Sequence, residues 1–296
     1  MPTPTSAERY DASRAAKLAE LTRAPGFRRR LALAALPGLA LAAVGLVTAT
    51  PVIAIGAVVA MAGPAAYYLL LRSRAAAFAK QATMTAWASE RGLTYVASPP
   101  LPTDVAFCRS KQRMVASDGF EGRICDLPGS VFNFTYSTFE TRTRTSTDAA
   151  GNTHTETYQE EVKHRHTVLR LSVGAVQGLR TMQLADRRLG FLEKLSAAFG
   201  PSRMVQTESV EFNRRFSLSV DDGADTAAVL RIFTPALLVR LIQGEFPQTT
   251  FQYESGTLAY VWGDQYDVED LEEVEQRVAA VAPLTQALHA AIAAIH

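Results

Sequence analysis

Charge is missing from the stretch Leu31–Leu71: across about forty residues there is no Lys, Arg, Asp, Glu, His, Asn or Gln. A soluble core helix is seldom uncharged on every face, so this block does not read as part of a water-soluble core. Cysteine is scarce as well. Cys108 and Cys125 are the two in the chain, too few for a disulfide framework and without the C-x₂-C spacing of a metal site. They read as small buried hydrophobes. Also lacking are a G-x-S-x-G elbow, a P-loop, a G-x-G-x-x-G turn and an H-E-x-x-H helix. A net charge of +1 removes any electrostatic reason to expect nucleic acid.

What is present begins with that apolar block. A bilayer core of roughly 30 Å takes about 20 apolar residues per helix, so the block is too long for one crossing and the right length for two. Thr48-Ala49-Thr50-Pro51 divides it, with Pro51 expected at the start of the second helix, where its missing N–H is harmless. A signal peptide would have a short apolar core and a small-residue cleavage site; here the core starts at residue 31 and runs to double length. Arg23, Arg28, Arg29 and Arg30 precede the block, and Arg72, Arg74 and Lys80 follow it. Short basic flanks stay cytoplasmic. The expected placement is therefore the inner (plasma) membrane, multi-pass, with both termini cytoplasmic and the lipid bilayer as partner through Leu31–Leu71. Gly38, Ala42, Gly45 and Ala49, with Gly56, Ala60 and Gly63, would allow two helices to approach closely.

The remainder divides into a basic leader at 1–30, a juxtamembrane helix at 72–92, an α+β domain at 93–266 and a helical segment at 267–296. In the leader, Ala7–Leu21 suits a short helix. Ser73–Arg91 continues the second apolar helix until Gly92 stops it. A strand is expected at Leu93–Val96, then two short strands around Arg113–Ala116 and Gly122–Asp126 joined by a turn at Ser117-Asp118-Gly119. Val131–Thr145 and Thr153–Val173 form a long hairpin around 148–152, apolar at its base and Thr-, Arg- and Glu-rich at its tip. Threonine favours strands, yet neither face of the tip (141–157) carries apolar residues to bury. That arm should project into water, either as the contact for a protein partner or as an idle, length-variable loop.

Further on, Ala185–Phe199 suits a helix, Arg215–Val220 a strand, and Asp225–Phe233 and Pro235–Ile242 two short helices. Thr249–Tyr253 and Thr257–Trp262 form a closing hairpin. From Asp267 the apolar residues follow 3,4 spacing with Thr285 in one polar slot, and Pro283 should kink or split the helix. The sheet these strands form should be mixed but mainly antiparallel, with packed helices.

The histidines offer little chemistry. His164 and His166 share a strand face, but His154 lies about 30 Å away along the strand, and a structural zinc site wants four ligands. Arg214 and Arg215 beside Phe212 and Phe216 read as a strand edge. No catalytic, cofactor-binding or metal-ligating residue is singled out.

The segment from Val210 to Leu238 carries Phe212, Phe216 and Leu218, then Asp221-Asp222, then Ile232-Phe233-Thr234-Pro235. It resembles a bacterial family catalogued as a domain of unknown function, whose members combine an N-terminal membrane hairpin with an F-x-x-x-F-x-V strand and an L-L-T-P helix. Ile232-Phe233 departs from the L-L of that pattern. Gly92-Leu93-Thr94-Tyr95 and Phe134-Thr135-Tyr136 also look similar, so the likeness spans roughly Trp87–Trp262. It implies one cytosolic α+β domain and transfers no activity. The expectation is a membrane-anchored interaction or scaffold module presenting that domain at the inner membrane. The alternative is a membrane-tethered enzyme or small-ligand receptor with its site dispersed in sequence.

Overall fold

The computed structural model describes residues 4–24, 26–48, 52–109, 111–147, 153–189 and 202–295; the side chains of 44–59, 61 and 189 lie outside the description. The chain forms two compact units, Met1–Trp87 and Ala88–His296.

In the first unit, α1 (Ser6–Arg23) starts with a capping box in which Thr5 and Glu8 satisfy each other's backbone N–H groups. The leader helix is thus two residues longer at its C-terminal end than its apolar spacing predicts. Helix α2 (Phe27–Thr48) and helix α3 (Val52–Glu90) follow, on either side of the expected Thr48–Pro51 division, of which residues 49–50 lie outside the described residues. Pro51 itself lies outside the described residues. Gly63 faces the backbone of α2 so closely that a Cβ there would overlap the Ala34 carbonyl, which is the close approach expected of the small-residue stripe; Gly45, Ala49 and Gly56 of that stripe lie outside the described side chains. The Phe27 and Tyr67 rings stack with centroids 6.2 Å apart. Among the described residues no single helix is long and apolar enough to cross a membrane.

The second unit is built on a sheet. Its described residues form nine strands in the order β1-β2-β3-β4-β9-β8-β5-β7-β6, every pairing antiparallel. The strands are β1 (Leu93–Val96), β2 (Val115–Ile124), β3 (Leu127–Thr147), β4 (Thr153–Ser172), β5 (Thr181–Asp186), β6 (Ser202–Met204), β7 (Phe216–Asp221), β8 (Phe251–Glu254) and β9 (Thr257–Trp262). One face is apolar across its width, with Leu169, Tyr260, Tyr253, Met182, Leu218 and Phe120 all buried. Helices α5 (Val210–Arg215), α6 (Thr226–Ile232), α7 (Pro235–Gln243) and α8 (Leu271–Ala293) supply its cover. The Phe212 ring of α5 lies 5.0 Å from Phe216 and 6.0 Å from Phe233. Thr285 of α8 meets the buried Tyr260 hydroxyl at 2.9 Å, so the polar slot in the helix pattern answers a polar atom in the core. The bent pair α6–α7, at 59°, has the length and composition of a broken membrane span, but Val229, Ile232 and Leu241 are buried in the core.

Four expectations need correction. Ser117-Asp118-Gly119 is not a turn between two strands. It is a bulge inside one strand, β2, with the register shifting between Ser117 and Phe120 and Asp118 at φ +49°. The Tyr95 hydroxyl donates to the Asp118 carboxylate at 2.7 Å and the Tyr266 hydroxyl donates to the Asp118 carbonyl; these contacts hold the extra residue in place. Ala185 and Asp186 belong to strand β5, followed by a 3₁₀ turn at Arg187–Leu189; the rest of the expected 185–199 helix, 190–199, lies outside the described residues. Phe212 sits on a helix rather than a strand, because Ser209 caps the Phe212 N–H at 3.2 Å. Pro283 does not split α8, which runs unbroken from Leu271 to Ala293 with Val281, Leu284 and Leu288 buried on both sides of the proline.

Candidate functional site

Strands β3 and β4 are much longer than their neighbours. They pair without interruption from Gly129↔Leu171 to Thr147↔Thr153, whereas β2 leaves β3 at Thr135 and β9 leaves β4 at Thr167. Beyond those points the two strands form a ribbon. From Glu140 to Thr147 and from Thr153 to Gln159 every residue is exposed.

The ribbon's two faces differ chemically. On one face Thr143 opposes Thr157, Thr145 opposes Thr155 and Thr147 opposes Thr153, giving paired files of hydroxyl and methyl groups. On the other, Arg142 reaches Glu160 at 2.7 Å and Glu140 at 3.7 Å, so the like-charged pair Glu140↔Glu160 is bridged by a guanidinium. Such pairs in water are worth at most about 1 kcal/mol each. Phe139 and Tyr158 stand 46% exposed.

At the base of the ribbon the histidines join an aromatic cluster. Tyr136 stacks against His166 at 5.5 Å and His164 at 4.7 Å. The ammonium of Lys111 lies 5.1 Å and 5.0 Å from the centroids of Phe107 and Tyr136. His166 directs Nδ1 to the Trp262 carbonyl at 3.1 Å; a carbonyl only accepts, so Nδ1 carries the proton. Burial lowers the His166 pKa, and the nearby His164 and Lys111 reinforce that direction. His164 meets the Thr138 hydroxyl at 2.8 Å. The two histidines therefore share a face, as expected, and use it for stacking. Among the described residues no group of three or more His, Cys, Asp or Glu side chains is placed to hold a metal ion.

A short strap crosses the same face of the sheet. Helix α4 (Ala106–Arg109), which has no periodic signal in so short a stretch, buries Phe107 and Cys108 against Phe134, Val168 and Val261. Arg109 pairs with Glu254 at 2.6 Å, the carboxylate side chain being only 6% exposed. The Phe107 N–H donates to Gln252 at 3.2 Å. Burial raises the Cys108 thiol pKa far above its ordinary value, so it is a packing group rather than a nucleophile.

Two other groups look active and are structural. Asp186 receives Arg188 at 2.7 Å and Arg215 at 3.3 Å. Burial pushes its carboxyl up, but hydrogen bonds from the two arginines prevail and hold it below the usual range. That places Arg215 in a buried ion network rather than at a strand edge. A small cleft of about 80 Å³ beside Asp264, Asp270 and Glu273 is closed electrostatically by Arg277, which pairs with Asp264 at 2.7 Å and Glu273 at 2.5 Å.

No family model matches the sequence, and no curated protein does. Among solved structures, the chain is similar to the crystal structure of the mycobacterial trehalose monomycolate transport factor A, TtfA, at 12% identity and a TM-score of 0.34, over 69% of this chain and 93% of that one. A likeness that loose carries no argument about function.

Proposed function

We propose that this protein is a membrane-tethered interaction module that contacts a partner protein through its β3–β4 ribbon. The observation that carries this reading is the ribbon's continuous pairing out to Thr147↔Thr153 with every residue beyond Glu140 exposed. An isolated two-stranded ribbon is marginal in water, and this one adds nothing to the core. Its free strand edges suit strand addition by an extended segment of a partner, where backbone bonds supply affinity and alternate side chains supply selectivity.

The tether follows from the uncharged block and from what its helices leave uncovered. Leu33, Leu36, Leu39, Leu69 and Leu70 on α2 and α3 are 48–60% exposed. Exposed apolar side chains in an uncharged block suit a non-aqueous cover, and the arginines on both flanks support a cytoplasmic placement of both ends.

Photo-crosslinkers placed singly at Thr143, Thr155 and Tyr158 in the full chain, in its own membranes, test the contact. The expected result is a discrete crosslinked protein from ribbon positions and none from Val239, an exposed control on α7. Crosslinking equal at all four positions would overturn the reading.

A further inference from the structure

Past the strap, the same face of the sheet opens into a hollow of about 380 Å³ over β2, β3, β4 and β9. Its floor is Gly122, Pro128, Gly129 and Ser130; Glu121 stands on one side, and Arg170, Ser172 and Thr257 on the other. The register puts Glu121 opposite Ser130 and Ser130 opposite Arg170. Adjacent strands lie about 4.8 Å apart, so the two charged residues rise from backbones roughly 10 Å apart with one serine between them.

Arg170 is held in place from one side. Its Nε and Nη2 both donate to Asp104 Oδ2, at 2.8 Å and 2.6 Å, and the Thr257 hydroxyl donates to the same oxygen at 2.9 Å. That arrangement anchors the guanidinium edge-on and leaves Nη1 without an ion-pair partner among the described residues. Glu121, half-buried across the hollow, likewise has none. The chain thus offers one oriented cation and one carboxylate, of opposite sign, facing a shared space floored by a hydroxyl and by glycine backbone.

The geometry points to a binding site for a small zwitterion, with a free α-amino acid as the chemical class. Its carboxylate lies against Arg170 Nη1, where a planar guanidinium favours a planar anion. Its ammonium lies against Glu121, and Ser130 accepts or donates between them. Two hydrogen-bonded charge contacts and the intervening atoms of an α-amino acid span about the distance between two side chains rooted 10 Å apart. A ligand with a single charge would leave the opposite wall of the hollow unanswered.

Titration calorimetry on the full chain in detergent, with a panel of free L-amino acids, tests this. Each amino acid is compared with its N-acetyl form, which keeps the carboxylate alone, and its methyl ester, which keeps the ammonium alone. At least one free amino acid is expected to bind tenfold or more tightly than both of its singly charged forms. Arg170→Gln should remove the advantage over the methyl ester, and Glu121→Gln the advantage over the N-acetyl form. Because Arg170→Gln strands Asp104 and can unsettle the strap, the Glu121→Gln result, at an unpaired half-buried position, decides alone if the other variant fails to fold. Equal binding of the singly charged forms overturns the proposal, as does the absence of binding by every free amino acid to folded protein.

Discussion

Glu254 shows how little of this protein's residue-scale chemistry is optional. Its side chain is 6% exposed, and Arg109 on the strap meets it at 2.6 Å. Removing the arginine would leave a carboxylate buried without its partner, and stranding a charged group in that way costs about 1–3 kcal/mol. Arg109→Ala should therefore lower the unfolding free energy from denaturant titration by that amount, while Arg109→Ala combined with Glu254→Gln recovers most of it; a double variant as weak as the single one would show that the pair does not hold the strap. His166 makes a pH-dependent contribution of known sign. Burial first, then the neighbouring His164 and Lys111, hold its pKa below 6.5, against the Trp262 carbonyl and Asp264, which raise it. The unfolded chain then binds the proton more readily than the folded one. The stability tied to neutral His166 is present above pH 6.5 and is lost as pH falls through the lower folded value. Denaturation between pH 7 and pH 5 should show this loss in the native sequence and a flatter slope in His166→Gln.

At the scale of elements, the ribbon is separable and α8 is not. Every ribbon residue beyond Glu140 on β3 is exposed, so its removal takes no buried surface with it. The register prescribes the cut: Thr141 pairs with Gln159, and replacing residues 142–158 by Asn-Gly joins that pair through a tight two-residue turn. The shortened protein should keep its melting temperature to within what about 1 kcal/mol shifts, and lose crosslinking to its partner. A larger loss of stability would show that the tip packs on the body. Helix α8, in contrast, buries Leu271, Val274, Leu284, Leu288 and Ile292 over the sheet. Its proline is carried by that packing, since tertiary contacts on either side outweigh one missing backbone bond.

For the whole molecule, the division into Met1–Trp87 and Ala88–His296 separates a unit carrying an uncharged apolar block from one whose apolar residues are patterned. The second unit buries a patterned core beneath four helices and a strap and exposes apolar side chains singly, such as Val115 and Val210, whereas α2 and α3 leave several leucines open. A chain beginning at Ser73 should accordingly stay soluble without detergent and unfold in one cooperative transition by circular dichroism. Precipitation of that chain would show that the sheet unit depends on residues before Ser73.

Local pattern alone determined several parts of this protein. The long β3–β4 hairpin, the α6–α7 pair, the β8–β9 hairpin and the polar slot at Thr285 were all readable, because each is written in periodicity or in turn and cap residues that act over a few positions. The ribbon was readable for the same reason: alternating threonine and charge rules out burial on either face. Other features were decided only by tertiary structure. Ser117-Asp118-Gly119 has turn chemistry, yet β1 and Tyr266 hold it as a bulge within a strand. Ala185 and Asp186 sit in a helix-like sequence, yet they pair with Ser217 and Phe216 of β7, continuing a strand that lies inside the sheet. Arg170, Asp104, Glu121 and Thr257 are separated by up to 153 residues, and no spacing in the chain announces them. They meet because strand register, a property of the assembled sheet, sets opposite charges one strand apart on either side of a serine.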